Sequence, residues 1–337
     1  MNRMPRRRTP PASQRRQRGA ALLTAMIIVT LVATLAAAMV WQQWRAVQVE
    51  QAERARTQAA WILSGALEFA RLILREDAKS NRPTALTEPW ATPLAEARLS
   101  TFLAADKSNA DDGPEAFLSG DITDAQARYN LTNLVVADPA DKQFKVDPAE
   151  LEKLERLCQT VGIDTGTAQR IAAGLRDATT GGGAPAGAGG AAPLLPKSTA
   201  QLSWLGIDEA SLQALQPFVV LLPVATPVNV NTASREVLAA VVKGLDPASA
   251  ERFVQTRQRT PYKDIAAFNA QLPTPIAEPK LAASLSVKSN FFEVRGRLRL
   301  VDRVLVERSL VQRTAPPANL VNVLRRERIA GFDQPGS

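Results

Sequence analysis

An uninterrupted apolar run, residues 20–41 (AALLTAMIIVTLVATLAAAMVW), constrains this chain more than any other feature. It holds no charge, and its only polar side chains are Thr24, Thr30 and Thr34. In a helix, Thr can return its hydroxyl to the carbonyl four residues back, so these cost little in lipid. A helix of this length, at about 1.5 Å per residue, reaches roughly 33 Å and crosses a hydrocarbon core of about 30 Å. Seven arginines (Arg3, Arg6, Arg7, Arg8, Arg15, Arg16 and Arg18) crowd residues 1–19 without an acid, and the next charge after the run is Arg45. The positive-inside rule then places residues 1–19 in the cytoplasm and the body outside, with Trp41 and Trp44 at the outer interface.

The same arginines explain the composition. The net charge of the 337 residues is +8, and without those seven it is about +1. The basicity belongs to a leader, so no nucleic-acid partner is expected. The chain has no His, which excludes Ser-His-Asp and Cys-His catalysis and His-based metal sites. Its one cysteine, Cys158, allows no intrachain disulfide. Cys158 lies at helical spacing within Leu151–Val161 and reads as a small buried apolar residue. Gly181–Gly190 is rich in Ala and Pro and lacks the Lys of a phosphate loop. No catalytic residues are assigned, and the chain reads as a structural protein and not as an enzyme.

The apolar helix is expected to continue to about Glu76. Ala59, Ile62, Leu63, Ala66, Leu67, Ala70 and Leu74 recur at helical spacing, and no Pro intervenes. From Ala20 this gives about 85 Å of helix. Residues 80–120 read as irregular, with Trp90 in a Pro-bounded turn packing against the long helix. Asp121–Val136 reads as a turn followed by a short strand. Two helices, split at Gly162, are expected in 147–177, the first started by Asp147-Pro148. Residues 178–196 read as a flexible Gly/Ala/Pro loop, and 198–217 as helical with Ser198 as cap. Asn229–Leu272 reads as a compact helical unit, Leu285–Arg313 as strand and Asn319–Leu324 as a last strand. The order implies an α+β fold with its later helices segregated in an inserted lobe.

Two strings stand out in the body. Val228–Ser234 (VNVNTAS), followed by Val237-Leu238, is similar to the start of helix-hairpin-helix units that grip DNA phosphates. Such a hairpin needs Gly-hydrophobic-Gly, for close approach of backbone N–H groups. Here it is Gly244-Leu245-Asp246, and a carboxylate at Asp246 repels the anion. Arg252, Arg257 and Arg259 are diluted by Glu251 and Asp264. A membrane-anchored DNA receptor is therefore the lesser alternative. The second string, Asp124–Leu134 (DAQARYNLTNL), reads most plainly as a strand flanked by turns, whose Asp and Asn side chains satisfy backbone groups.

Gly19-Ala20 resembles the cleavage site of type IV prepilins, where a basic leader ends in Gly and a peptidase cuts and methylates the next residue. The resemblance makes Gly19 and Ala20 the processing residues and leaves Thr24 at the fifth mature position, normally Glu. A missing Glu, the Asp124–Leu134 string (with Ala127 for a Gly and Thr132 for an Asn) and the VNVNTAS string occur in the order seen in K-type minor pseudopilins of type II secretion. That resemblance covers nearly the whole chain. It implies a place at the pseudopilus tip with the I and J minor pseudopilins, where the chain helps initiate assembly and the export of folded periplasmic proteins. Further partners are the major pseudopilin, the prepilin peptidase and the inner-membrane assembly platform. It also implies a single-pass inner-membrane protein of a Gram-negative bacterium, with a periplasmic body.

The implied layout is a leader (1–19), a transmembrane helix (20–41) and a pilin-like helix with the first β part (42–135). Then come a first helical lobe (136–225), a second, sterile-alpha-motif-like lobe (226–275), a β part (276–326) and a tail (327–337). Members of that family also carry an acidic calcium stretch. Here only Asp177 remains of it, so no cofactor or calcium site is expected. Asp111-Asp112 read as solvated loop.

Overall fold

The computed structural model describes residues 17–99, 116–140, 143–181, 193–276, 283–300, 303–314 and 318–329. Helix α1 is Gln17–Lys79. The strands are β1 (Leu94–Arg98), β2 (Ala116–Asp124), β3 (Tyr129–Asn130), β4 (Val135–Ala137), β5 (Phe144–Val146), β6 (Val219–Val220), β7 (Val228–Asn229), β8 (Leu285–Ser286), β9 (Phe291–Leu300), β10 (Arg303–Arg313) and β11 (Val321–Ile329). The later helices are α2 (Pro148–Thr160), α3 (Thr165–Gly181), α4 (Glu209–Leu215), α5 (Arg235–Val241), α6 (Pro247–Arg259) and α7 (Ile265–Asn269). The chain divides into two units, Met1–Trp61 and Ile62–Ser337.

In the first unit, α1 exposes every side chain from Ala20 to Gln51, the apolar ones included. In the second, α1 presents Leu67, Ala70 and Leu74 along one face, the spacing that a 3.6-residue turn requires. That face packs with Trp90, Phe292, Val294, Val311 and Val321. The partner surface is an antiparallel five-stranded sheet in the order β1-β2-β9-β10-β11. Alternation along β9 sends Phe292, Val294 and Leu298 to the buried side.

Two glycines permit close approaches, Gly296 between sheet and helix and Gly120 between neighbouring strands. Gly120 lies opposite Gly296 in the β2–β9 register. A Cβ on Gly296 would come within 3.2 Å of Leu63 Cδ2, and one on Gly120 within 2.6 Å of the Arg295 carbonyl oxygen. The second contact meets backbone, which cannot swing away. Gly120→Ala is expected to cost about 1–3 kcal/mol through forced strand displacement, read as a lowered urea midpoint. An unchanged midpoint would show that the sheet yields there.

The helices α2 to α7 fall between β5 and β8 in the chain, so the α+β class holds. One apolar core runs through this part and includes Leu154, Leu157, Ile171, Leu215, Leu238 and Phe268. Phe253, Tyr262 and Phe268 cluster with centroids 5.1–6.3 Å apart. Cys158 is fully buried in this core, as expected, and burial raises its thiol to about 11.

Several sequence expectations need correction. The first is the turn at Asp121: β2 runs straight through it to Asp124, because each residue finds a partner on β9. Leu94–Arg98, expected as irregular, adds the edge strand β1. Residues 178–181, expected in the flexible loop, extend α3. There Ala178 is buried, and Thr179 and Thr180 return their hydroxyls to Leu175 O and Arg176 O. Residues 182–192 of that loop, Asp111-Asp112 and most of the leader lie outside the described residues. The last strand runs to Ile329, beyond the expected Leu324, since β10 offers a partner along that whole length.

Candidate functional site

The apolar run of α1 satisfies its own polar groups. Thr24 Oγ1 donates to Ala20 O (2.9 Å) and lies 3.0 Å from Ala21 O. Thr30 and Thr34 bond the carbonyls three residues back, Ile27 O and Leu31 O, and not the four-back carbonyls expected. No hydroxyl is left to face lipid unpaired. The Trp41 and Trp44 rings lie 5.5 Å apart at the end of the run. Gly19 and Ala20 both fall within α1.

In the second unit, the two motifs meet in a buried polar joint. Asp124 ends β2, and its Oδ1 accepts from Gln126 N (2.8 Å), starting a short 3-10 turn. Its Oδ2 accepts three further bonds, from Thr232 Oγ1 (2.6 Å), Ser289 Oγ (2.6 Å) and Asn229 Nδ2 (3.0 Å). Asn229 Nδ2 also reaches Thr84 O (3.1 Å). Beside them, Arg313 donates to Asp77 Oδ2 (2.6 Å), Thr84 Oγ1 (3.1 Å) and Ser289 O (2.9 Å). This joint ties the end of α1, the loop at Thr84, the sheet and the VNVNTAS turn together. Burial pushes the Asp124 carboxyl above its ordinary value, and its four donors pull the other way without cancelling that.

The Asn-Leu-Thr-Asn-Leu segment stitches a different seam. Asn130 Nδ2 donates to Val224 O (2.8 Å) and Thr226 Oγ1 (3.0 Å), while its Oδ1 accepts from Leu222 N (3.2 Å). Asn133 exchanges two bonds of 2.9 Å with the Thr226 backbone. Thr132, standing where the resembling family has Asn, donates to Leu222 O (2.6 Å). The plain reading of these side chains as local turn formers is thus incomplete. Each string has local bonds, but its strongest ties cross to distant segments.

The hairpin at Gly244 is used up internally. Asp246 caps α6 by accepting from Ala248 N (3.0 Å) and Ser249 N (2.9 Å), in the position a phosphate would need. Hydrogen bonds from Ser249 hold its carboxyl below the ordinary range, so it keeps its charge. Arg257 is buried and donates to Val230 O and Ala233 O, clasping the VNVNTAS turn. Asn231 completes the clasp by pairing with both backbone groups of Tyr262, at 2.8 and 3.0 Å. Asp177 is engaged by Arg176 at 2.7 and 2.9 Å, and no three His, Cys, Asp or Glu side chains gather among the described residues.

Sequence reasoning singled out Asp124, Asn130, Asn229 and Thr232. Gln126 belongs to the same singled-out string as Asp124. Sequence reasoning missed Asp77, Thr84, Ser289 and Arg313, which complete the joint. No local pattern marks those four, since they are single polar residues scattered over the chain.

Comparison with known proteins finds related chains. Two family models, both described as type II secretion system (T2SS), protein K, match residues 127–224 and 228–288. Type II secretion system protein K of Pseudomonas aeruginosa is 30% identical over 304 residues, covering 84% of this chain and 85% of that protein. The chain belongs to the type II secretion system protein K family. It is a minor pseudopilin of type II secretion, and the DNA-receptor alternative finds no support. Protein K of Pectobacterium carotovorum subsp. carotovorum is 27% identical over 313 residues, covering 86% of this chain and 91% of that one. A chain in the crystal structure of the GspK-GspI-GspJ complex from enterotoxigenic Escherichia coli shares the fold. Its TM-score is 0.62 at 21% identity, over 83% of this chain and 99% of that chain.

Proposed function

We propose that the chain works at the tip of the pseudopilus, seated on I-type and J-type minor pseudopilins above the major pseudopilin. There it helps initiate assembly and the export of folded proteins. The observation that carries this reading is at Thr24. Pilin subunits buried in a filament use a carboxylate at this position to offset the terminal ammonium of a neighbour. Thr24 offers no charge, and its hydroxyl is spent on its own helix. A subunit with none above it has no ammonium to receive. The likeness to a chain solved together with GspI and GspJ supports the same partners.

The reading extends to processing and location. The prepilin peptidase cuts between Gly19 and Ala20 and methylates Ala20. The apolar run anchors the chain in the inner membrane, with the leader cytoplasmic and the body periplasmic, next to the assembly platform. α1 with its sheet forms a pilin-like body, and the helical part a sterile-alpha-motif-like insertion. The role is structural and takes no cofactor.

Peptide mass spectrometry of protein from membranes containing the peptidase tests the processing. A mature chain starting at N-methylated Ala20 is expected, and Gly19→Lys should leave the full leader in place. An intact Met1, or a cut beyond residue 35, would overturn it. Co-purification of the full chain with I-type and J-type subunits tests the partners, and its absence would remove the tip assignment.

A further inference from the structure

We propose that a cleft beside the buried joint receives an acidic segment of a partner protein, a carboxylate seated between Arg82 and Lys288. The cleft has a volume of about 440 Å³ and is lined by Gln126 and by several distant stretches of chain. These are the end of α1 with the turn after it, the 224–227 loop, the start of β9 with Lys288 before it, and the end of β10 with Arg313.

Charge decides what fits it. The lining holds three cations, Arg82, Lys288 and Arg313, against one acid, Asp77. Asp77 is already committed to Arg313 at 2.6 Å, and both side chains are nearly buried, so that pair is neutral and closed. Two exposed cations remain. Lys288 spends one donor on Asn81 Oδ1 at 2.8 Å and keeps two. Arg82 makes no ion pair or hydrogen bond among the described residues. Its five N–H donors suit bidentate capture of a carboxylate.

The backbone supports the same arrangement. Asn81 is one of two non-glycine residues with positive φ among those described, at 52°. That left-handed turn is tolerated by Asn and disfavoured for most residues, and the Lys288 bond holds the Asn81 side chain in it. Lys288 is thus tied to this turn, and Arg82 directly follows Asn81 along the chain. Beside them, Val224 is 52% exposed and forms an apolar flank. A segment with an Asp or Glu next to an apolar side chain meets both features.

The proposal rests on the reading that this chain assembles with other proteins. Co-purification with I-type and J-type subunits reports that reading separately. For the cleft itself, a photo-crosslinking amino acid replaces Val224 in the full chain, in cells that contain the secretion apparatus. Cross-linked peptides are then sequenced by mass spectrometry. An acidic protein segment is expected. Its yield should fall at least about ten-fold in the double variant Arg82→Glu/Lys288→Glu and persist in Arg82→Lys/Lys288→Arg. A thermal melt guards against misfolding. The reversed charges lie on exposed side chains, so the melting temperature should hold, and Arg82→Glu alone should reproduce the loss if the double variant melts early. The proposal is overturned by a cross-link that ignores the charge reversal, by one to lipid, nucleic acid or a non-acidic segment, or by none at all.

Discussion

Asp124→Ala should destabilise the folded body by about 3–5 kcal/mol, on the basis of two or three buried donors left unpaired at about 1–3 kcal/mol each. Four donors converge on this one carboxylate: the Gln126 amide, the Thr232 and Ser289 hydroxyls and the Asn229 side chain. The hydroxyls can turn toward other acceptors, but the Gln126 N–H cannot. Asp124→Asn keeps one acceptor oxygen and should cost less, roughly 1–2 kcal/mol. Urea unfolding of the detergent-solubilised chain, followed by tryptophan fluorescence, gives both values. A loss below 1 kcal/mol for the Ala variant would show that the joint is not a stabilising centre.

The pH dependence follows from the same site. Burial raises the native Asp124 carboxyl above its ordinary 3.8, so the folded chain holds this proton more tightly than the unfolded chain does. The contribution is therefore greatest in acid, and stability from this group falls as pH rises from about 3.8 through the raised native value. Asp124→Asn should remove that slope.

The long helix was legible because its signal is local. An uncharged run followed by apolar residues every three or four positions marks α1, and helical spacing with the Asp147-Pro148 start marks α2. The sheet was legible only where strands alternate cleanly, as in β9. β2 was misread because Gly120 and Asp121 are turn formers in isolation. In the fold, Gly120 is required by its approach to the Arg295 carbonyl, and Asp121 faces Arg295 across the register. The joint was legible by halves. Both motifs carry unusual densities of Asn, Asp and Thr, but the partners of Asp124 lie 105, 108 and 165 residues away. No spacing rule reaches that far, and only the topology brings them together. The proposed processing site is the opposite case: Gly19-Ala20 is a local string, and what it means rests on an enzyme outside the chain.

The other large effect expected is at Trp90, where replacement by Ala should cost about 3–5 kcal/mol. The sequence placed this residue against the long helix, and the structure puts it in one cluster with Leu67, Ala70 and Leu74 of α1. Only 1% of it is exposed, and its ring meets Phe292 edge-on with centroids 5.3 Å apart. Its indole N–H donates to Glu88 Oε2 at 2.7 Å, so no polar atom opposes its burial. Phe292 in turn carries the Arg313 guanidinium 5.0 Å above its ring. Trp90 therefore fills the core while supporting one wall of the polar joint. Trp90→Phe should recover more than half of the loss, because it restores most of the volume but not the bond to Glu88. Hydrogen exchange separates the two roles. If Trp90 supports the joint, Trp90→Ala should speed exchange at Ser289 and Gln126 as well as in the second half of α1. Faster exchange in α1 alone would confine Trp90 to packing the helix on the sheet.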